Sequence, residues 1–187
     1  IIAGAGSGKT RVLTLRIAHL IQSKQVDPFN IMALTFTNKA AKEMRNRIEK
    51  MVGADARNLW MGTFHSVFAR ILRAEAHHLG YPNNFTIYDT DDSKSLLRSV
   101  IKEMGLDDTQ YKVNTVYNRI SSAKNKLISW QDYLSNPILM ADDTANMRPE
   151  IGNIFKSYSL RCFKSGAMDF DDLLFNTDKL FKEHLAV

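Results

Sequence analysis

The sequence predicts an α/β fold, a parallel sheet with helices on both faces, carrying an inserted all-helical subdomain. Three observations predict it. A glycine-rich stretch, Ala3 to Thr10 (AGAGSGKT), follows the apolar pair Ile1–Ile2 and precedes an amphipathic run. Short apolar stretches then alternate with helix-period segments as far as Tyr88, the pattern of β-α units with right-handed crossovers. From Asp91 to about Lys164 that alternation stops, and only helical periods remain.

The first element is the strand, glycine-rich loop, helix order of a phosphate-binding loop. Gly4, Gly6 and Gly8 let the backbone turn where a Cβ would block it, so successive N–H groups can face one anion. Ala3, Ala5 and Ser7 complete the loop, with Ala3 standing where the strict pattern has glycine. Lys9 can reach the β- and γ-phosphates, and the Thr10 hydroxyl can join the shell of Mg²⁺. The alternative is a small-residue turn that ends in Lys-Thr by chance. A strand before and a helix after favour the loop, and with it a bound nucleoside triphosphate.

Leu13, Ile17, Leu20 and Ile21 recur at helical spacing and predict a helix to about Ser23. Asp27 and Pro28 break it, and IMALTF, Ile31 to Phe36, reads as a buried parallel strand. Thr37 or Asn38 can cap the next helix, with Ala40, Met44, Ile48 and Met51 inward and Lys39, Lys42, Arg45, Arg47 and Lys50 on its other faces. LWMGTF, Leu59 to Phe64, is the next strand, and its helix is lined by Phe68, Ile71, Leu72 and Leu79 up to Gly80 and Pro82. FTIY, Phe85 to Tyr88, is a further short strand.

In the helical block, one helix carries Leu97, Val100, Ile101 and Met104, and a second carries Val116, Ile120, Ala123 and Leu127. A third, with Pro149 near its first turn, carries Ile151, Ile154, Phe155, Tyr158 and Cys162. A short helix is expected around Trp130 to Leu134, and DDTAN near Asp142 reads as a loop. Asp169 caps a last helix, with Leu173, Thr177, Leu180 and Phe181 inward. The expected boundaries are 1–84 and 167–187 for the sheet domain, and 85–166 for the insertion.

An apolar fraction of 44% and a charged fraction of 24% are those of an ordinary globular chain. The net charge of +5 is uneven: residues 1–84 hold 12 basic against 5 acidic residues. A polyanionic partner and a solvated basic surface both explain that surplus. Cys162 is the only cysteine, which excludes an internal disulfide and fits a reducing, cytoplasmic setting. His19, His65, His77, His78 and His184 show no metal-ligand spacing in the sequence. No stretch has the length of a membrane span, and none reads as a signal peptide, so no membrane partner is expected. The chain opens inside its first strand without Met and is expected to be a piece of a longer protein.

Two strand ends carry polar side chains. Thr35, Phe36, Thr37, Asn38 and Lys39 follow one strand, and GTFHS, with Thr63 and His65, follows the next. In an open parallel sheet, ligands gather at the carboxyl ends of strands. Hydroxyls, an amide, a cation and an aromatic ring suit a nucleic-acid strand, with phosphates on the polar groups and a base on Phe36. A capped helix with a core Phe36 and a structural His65 explains the same residues, and spacing alone favours it. Asp169, Asp171 and Asp172 offer metal ligands, but carboxylates at a helix start are accounted for by capping and the helix dipole. Lys112, Arg119, Lys124 and Lys126 could grip duplex phosphates or form a solvated face.

AGAGSGKTR, LTFTNKAAKEM, TFHS, SSAKNK and MDFDDLL occur in this order and spacing. Together they resemble the start of UvrD/Rep/PcrA-type superfamily 1 DNA helicases across nearly the whole chain. That resemblance implies a first RecA-like domain at 1–84 and 167–187, with its helical insertion at 85–166. It implies ATP-driven 3′ to 5′ translocation on single-stranded DNA, with duplex separation at a single-strand/duplex junction. Gly4, Gly6, Gly8, Lys9, Thr10 and Arg11 would handle the nucleotide; Phe36, Asn38, Lys39, Thr63 and His65 would lie along the single strand. In the family an adenine-reading glutamine would precede Ile1. The DExx carboxylates and a second RecA-like domain with its arginine finger would follow Val187. The chain alone is therefore expected to bind more than it catalyses. The rival readings are a P-loop small-molecule kinase and an ATP-gated DNA-binding module that does not unwind.

Overall fold

The computed structural model describes residues 8–184. The expected first strand at Ile1–Ile2 and the loop residues Ala3, Gly4, Ala5, Gly6 and Ser7 lie outside the described residues. The chain divides into two compact units, one running to Val67 and one from Phe68 onward.

In the first unit, α1 (Lys9–Gln22) and α2 (Asn38–Val52) flank a parallel pair of strands, β1 (Met32–Thr35) and β2 (Trp60–Thr63). The register sets Met32 beside Trp60 and Thr35 beside Thr63. Ile17 and Ile21 from α1 meet Met44 and Ile48 from α2, with Ile31, Ala33, Leu59 and Met61 completing the core. These are the i, i+4 apolar pairs that make one face of each helix. Leu13, expected inward, is exposed near the start of α1. The β1 strand is half open rather than buried: Ala33 packs inward while Met32 is exposed. Arg45 in α2 donates to the Met61 carbonyl at 2.8 Å and fixes the helix to the strand. β2 runs straight into α3 (Phe64–Glu75). Gly62 permits that turn, since a Cβ there would collide with Ser66 Oγ.

The second unit is mainly helical, with α4 (Thr90–Glu103), α5 (Val113–Asn125), α6 (Trp130–Ser135), α7 (Pro137–Ala145), α8 (Ile151–Lys164) and α9 (Phe170–Glu183). A second parallel pair, β3 (Thr86–Tyr88) and β4 (Ala167–Asp169), aligns Thr86 with Ala167 and Tyr88 with Asp169. The chain thus leaves and re-enters the helical block at adjacent strands. Leu97, Val116, Ile120, Tyr133, Ile154, Phe155 and Tyr158 are among the buried residues of its core.

Capping follows side-chain chemistry closely. Asp89, Ser129 and Asp169 each form a reciprocal capping box at the starts of α4, α6 and α9. Asn136 caps α7, with Pro137 at its first position.

Four expectations need correction here. DDTAN is not a loop: Asp142 to Ala145 complete α7, because Asp143 is buried on Tyr133 and Arg119 instead of being solvated. No strand was expected before α9, yet Ala167–Asp169 form β4, paired with β3. Leu127 falls just past α5 with φ 57 and is exposed. Phe181 is also exposed, on the outer side of α9. Among the described residues no helix is long and apolar enough to cross a membrane.

Candidate nucleotide and nucleic-acid interface

Gly8 precedes α1 in the left-handed region, at φ 80 and ψ 13, a conformation that favours glycine. Its carbonyl accepts from Val12 N–H at 3.0 Å, which starts the helix without a side-chain cap. Lys9, Thr10 and Arg11 form the exposed first turn, with no acidic residue among them. Thr14 donates its hydroxyl to the Arg11 carbonyl at 2.9 Å, so that turn is tied from within. The N-terminus of α1 carries the positive end of the helix dipole, which favours an anion.

The rim at the carboxyl ends of β1 and β2 is built twice from one dipeptide. Thr35-Phe36 ends one strand and Thr63-Phe64 the next, with the two threonines side by side in the ladder. Phe36 is 91% exposed, so it is no core residue. Its ring lies 5.5 Å from that of Phe64 at 47°. Phe64, not singled out in the sequence, stands in the same Thr-Phe repeat as Phe36.

The hydroxyls of the rim shape its turns. Thr35 donates to the Thr37 carbonyl at 3.1 Å, and Thr37 Oγ1 accepts from Ala40 N–H at 3.2 Å as the cap of α2. Thr63 Oγ1 accepts from Ser66 N–H at 3.2 Å and donates to Ser66 Oγ at 3.1 Å. Of the two cap candidates, Thr37 takes the role. Asn38 and Lys39 are left exposed at the start of α2, and His65 is exposed in the first turn of α3.

The four basic residues singled out around α5 divide into two pairs. Lys112 and Lys126 are exposed. Lys124 is buried, its Nζ 2.7 Å from Asp169 Oδ2 and 2.8 Å from Asp172 Oδ1. Arg119 is held by Asp142 at 2.6 Å and Asp143 at 3.0 Å. Lys124 thus completes an interior ion pair, whereas Arg119 is half-buried, bridging exposed Asp142 and buried Asp143. Asp169 caps α9 as expected and takes up Lys124 as well.

Burial works against the charge on Lys124, but the two carboxylates outweigh it and raise its pKa. Burial also opposes ionisation of Asp169, yet Lys124 holds that carboxyl below its usual range. Asp172 is pushed up to about 6 by burial and by the Asp169 charge. The Cys162 thiol is pushed up to about 12, by burial first and then by Asp172. It is a free, inert side chain.

A cavity of about 650 Å³ in this unit is lined by Tyr81, Lys124, Trp130, Phe155, Asp172 and Asn176, among others, and includes none of the residues expected to hold nucleotide or single-stranded DNA. The histidines, read as unrelated in sequence, are partly gathered by the fold: His77 and His78 meet Glu75.

All of residues 1–187 match the family model of the UvrD/REP helicase N-terminal domain. The chain belongs to this family. Its relatives include the ATP-dependent DNA helicase PcrA of Staphylococcus epidermidis (strain ATCC 35984), 44% identical over 182 residues, which are 97% of this chain and 24% of the relative. The PcrA of Leuconostoc citreum is 44% identical over 183 residues, with the same shares of the two chains. That of Staphylococcus aureus (strain Mu50) is 42% identical over 182 residues, again 97% and 24%. This UvrD/REP helicase N-terminal domain thus spans about a quarter of the length of the curated relatives it matches.

Proposed function

We propose that this chain is the nucleotide-binding and strand-gripping part of an ATP-dependent 3′ to 5′ DNA helicase, working in the cytoplasm. Its sheet domain would be RecA-like and formed by 1–84 and 167–187, with 85–166 as the helical insertion. The pairing of β3 with β4, which brings the two ends of that insertion together, supports this division. ATP and Mg²⁺ would be held by Ala3, Gly4, Ala5, Gly6, Ser7, Gly8, Lys9, Thr10 and Arg11, with Thr10 toward the metal. The left-handed Gly8 and the uncapped, exposed first turn of α1 fit a triphosphate. Mg²⁺ supplies charge neutralisation on the phosphates. Single-stranded DNA, up to its junction with duplex, would run along Thr35, Phe36, Thr37, Asn38, Lys39, Thr63 and His65. Duplex separation would need the remaining helicase domains of a longer protein.

One observation carries the DNA reading: Phe36 stands exposed beside Phe64 at the carboxyl edge of a parallel strand pair. An exposed ring backed by a second, partly buried one, with an exposed lysine three residues on, suits a stacking platform with a phosphate contact. Phe36→Ala is expected to weaken single-strand binding by about 1–3 kcal/mol, while changing stability by no more than about 0.5 kcal/mol. Lys39→Ala is expected instead to lower the salt dependence of binding by roughly one phosphate contact. Anisotropy titrations with a labelled oligonucleotide at several salt concentrations, with thermal melts of the same proteins, read both effects. A Phe36→Ala protein that binds the strand as tightly as wild type would overturn the assignment.

A further inference from the structure

Three side chains with metal-binding atoms converge where α3 ends. Glu75 is the last residue of α3, and the 3₁₀ turn Ala76–Leu79 carries His77 and His78 directly after it. One ligand atom from each of Glu75, His77 and His78 lies within 4.8 Å of the other two. The tight turn brings this about, because residues three apart eclipse one another in a 3₁₀ helix. Glu75 Oε2 accordingly sits 3.5 Å from His78 Nε2. The rings of His77 and His78 are 4.1 Å apart between centroids, at 35°.

The turn itself is anchored. Ala76 is fully buried, and Gly80, in the left-handed region, donates its N–H back to the Ala76 and His77 carbonyls. From the other side α9 packs on the turn. His184, just past the end of α9, sets its ring 4.8 Å from that of His78.

We propose that Glu75, His77 and His78 form a surface binding site for a zinc-class divalent cation. Two imidazoles and one carboxylate are a borderline nitrogen–oxygen donor set, which zinc accepts and which magnesium and calcium, as oxygen-seeking ions, do not prefer. Tetrahedral zinc with bonds of about 2.0–2.1 Å needs ligand atoms roughly 3.4 Å apart. Glu75 and His78 are close to that spacing already, and the exposed His77 and His78 can close the remaining gap by rotation. Three protein ligands leave a fourth position for water. The site involves none of the nucleotide or rim residues, so its existence is independent of the helicase reading.

Calorimetric titration of zinc chloride into the tag-free chain, near neutral pH and with excess magnesium present, tests the proposal. The expected result is one saturable zinc ion per chain. His77→Ala and His78→Ala should each weaken it at least about tenfold, while His19→Ala, at an exposed histidine of α1, leaves it unchanged. Cobalt should give the visible absorption of a nitrogen–oxygen site in the wild type and lose it in His78→Ala. Glu75→Gln keeps the shape of the side chain and should also weaken binding. Absence of saturable zinc binding, or binding to the doubly substituted His77→Ala/His78→Ala chain as tight as to wild type, would overturn the site.

Discussion

Lys124 is buried, its ammonium group is matched by two carboxylates, and Asp169 Oδ2 also accepts from the Tyr158 hydroxyl at 2.8 Å. Two negative charges beside one positive charge leave a surplus, and Asp172 carries it. Its pKa of about 6 in the folded chain lies above the ordinary aspartate range. In the unfolded chain Asp172 loses its proton near pH 4, while in the folded chain it keeps that proton to about pH 6. The folded state therefore binds more protons across this window, and the contribution of Asp172 to stability falls as pH rises through it. Asp169 behaves in the opposite sense: its folded pKa is lowered, so its contribution is lost as pH falls below the ordinary aspartate range. Asp172→Asn keeps an oxygen to accept the Asp169 N–H and removes the titration. Melts between about pH 4 and 7 should show wild type losing on the order of 1–3 kcal/mol relative to Asp172→Asn. Parallel profiles for the two proteins would show that Asp172 does not titrate there. The sequence exposed Asp169 as a cap because the DFDD run stands just before an apolar helical period. It could not expose Lys124 as its partner, since the two stand 45 positions apart and the chain folds through α6, α7 and α8 between them.

At the scale of elements, Lys124 joins α5 to the start of α9, and β4 is held at the same point. Replacing it with methionine keeps much of the volume and strands two carboxylates in the interior. Lys124→Met should cost about 3–5 kcal/mol in urea unfolding, the range for breaking a buried pair by removing one member. Lys126→Met, at an exposed residue two positions on, should stay within about 0.5 kcal/mol. Equal costs for the two variants would mean that the ion pair does not hold these elements. Helices with an apolar period were legible: α2, α4, α5, α8 and α9 all lie where Met44, Leu97, Val116, Ile154 and Leu173 said they would. α7 was not, because two adjacent aspartates look solvated until Arg119 and Tyr133 are seen to enclose Asp143. β4 was not legible either. Its three residues are all buried, so it shows no alternation, and it leads into α9 without a break. At the rim, position placed Thr35 and Thr63 at neighbouring strand ends, while the exposure of Phe36 was not settled by it. Spacing cannot tell a ring that faces solvent from one that faces the core.

At the scale of the whole molecule, the question is which parts of a phosphoryl-transfer site these 187 residues can supply. Lys9 and Thr10 stand in an exposed first turn behind a left-handed glycine, which suits holding a triphosphate. Transfer also requires a carboxylate on the metal, a positioned water and a finger arginine, all present together. The sequence contains no Asp-Glu pair. The carboxylates Asp169 and Asp172 are committed to Lys124 and to the cap of α9. A polypeptide of these 187 residues should therefore bind ATP without steady-state hydrolysis, with or without single-stranded DNA. In a longer protein that contains it and hydrolyses ATP, Lys9→Ala should remove nearly all turnover, since the charge on the β- and γ-phosphates is lost. The two measurements separate two errors. DNA-stimulated turnover by the 187-residue polypeptide would mean that the catalytic carboxylate lies within it. Undiminished turnover by the longer Lys9→Ala protein would mean that the glycine-rich loop does not hold the reacting phosphates.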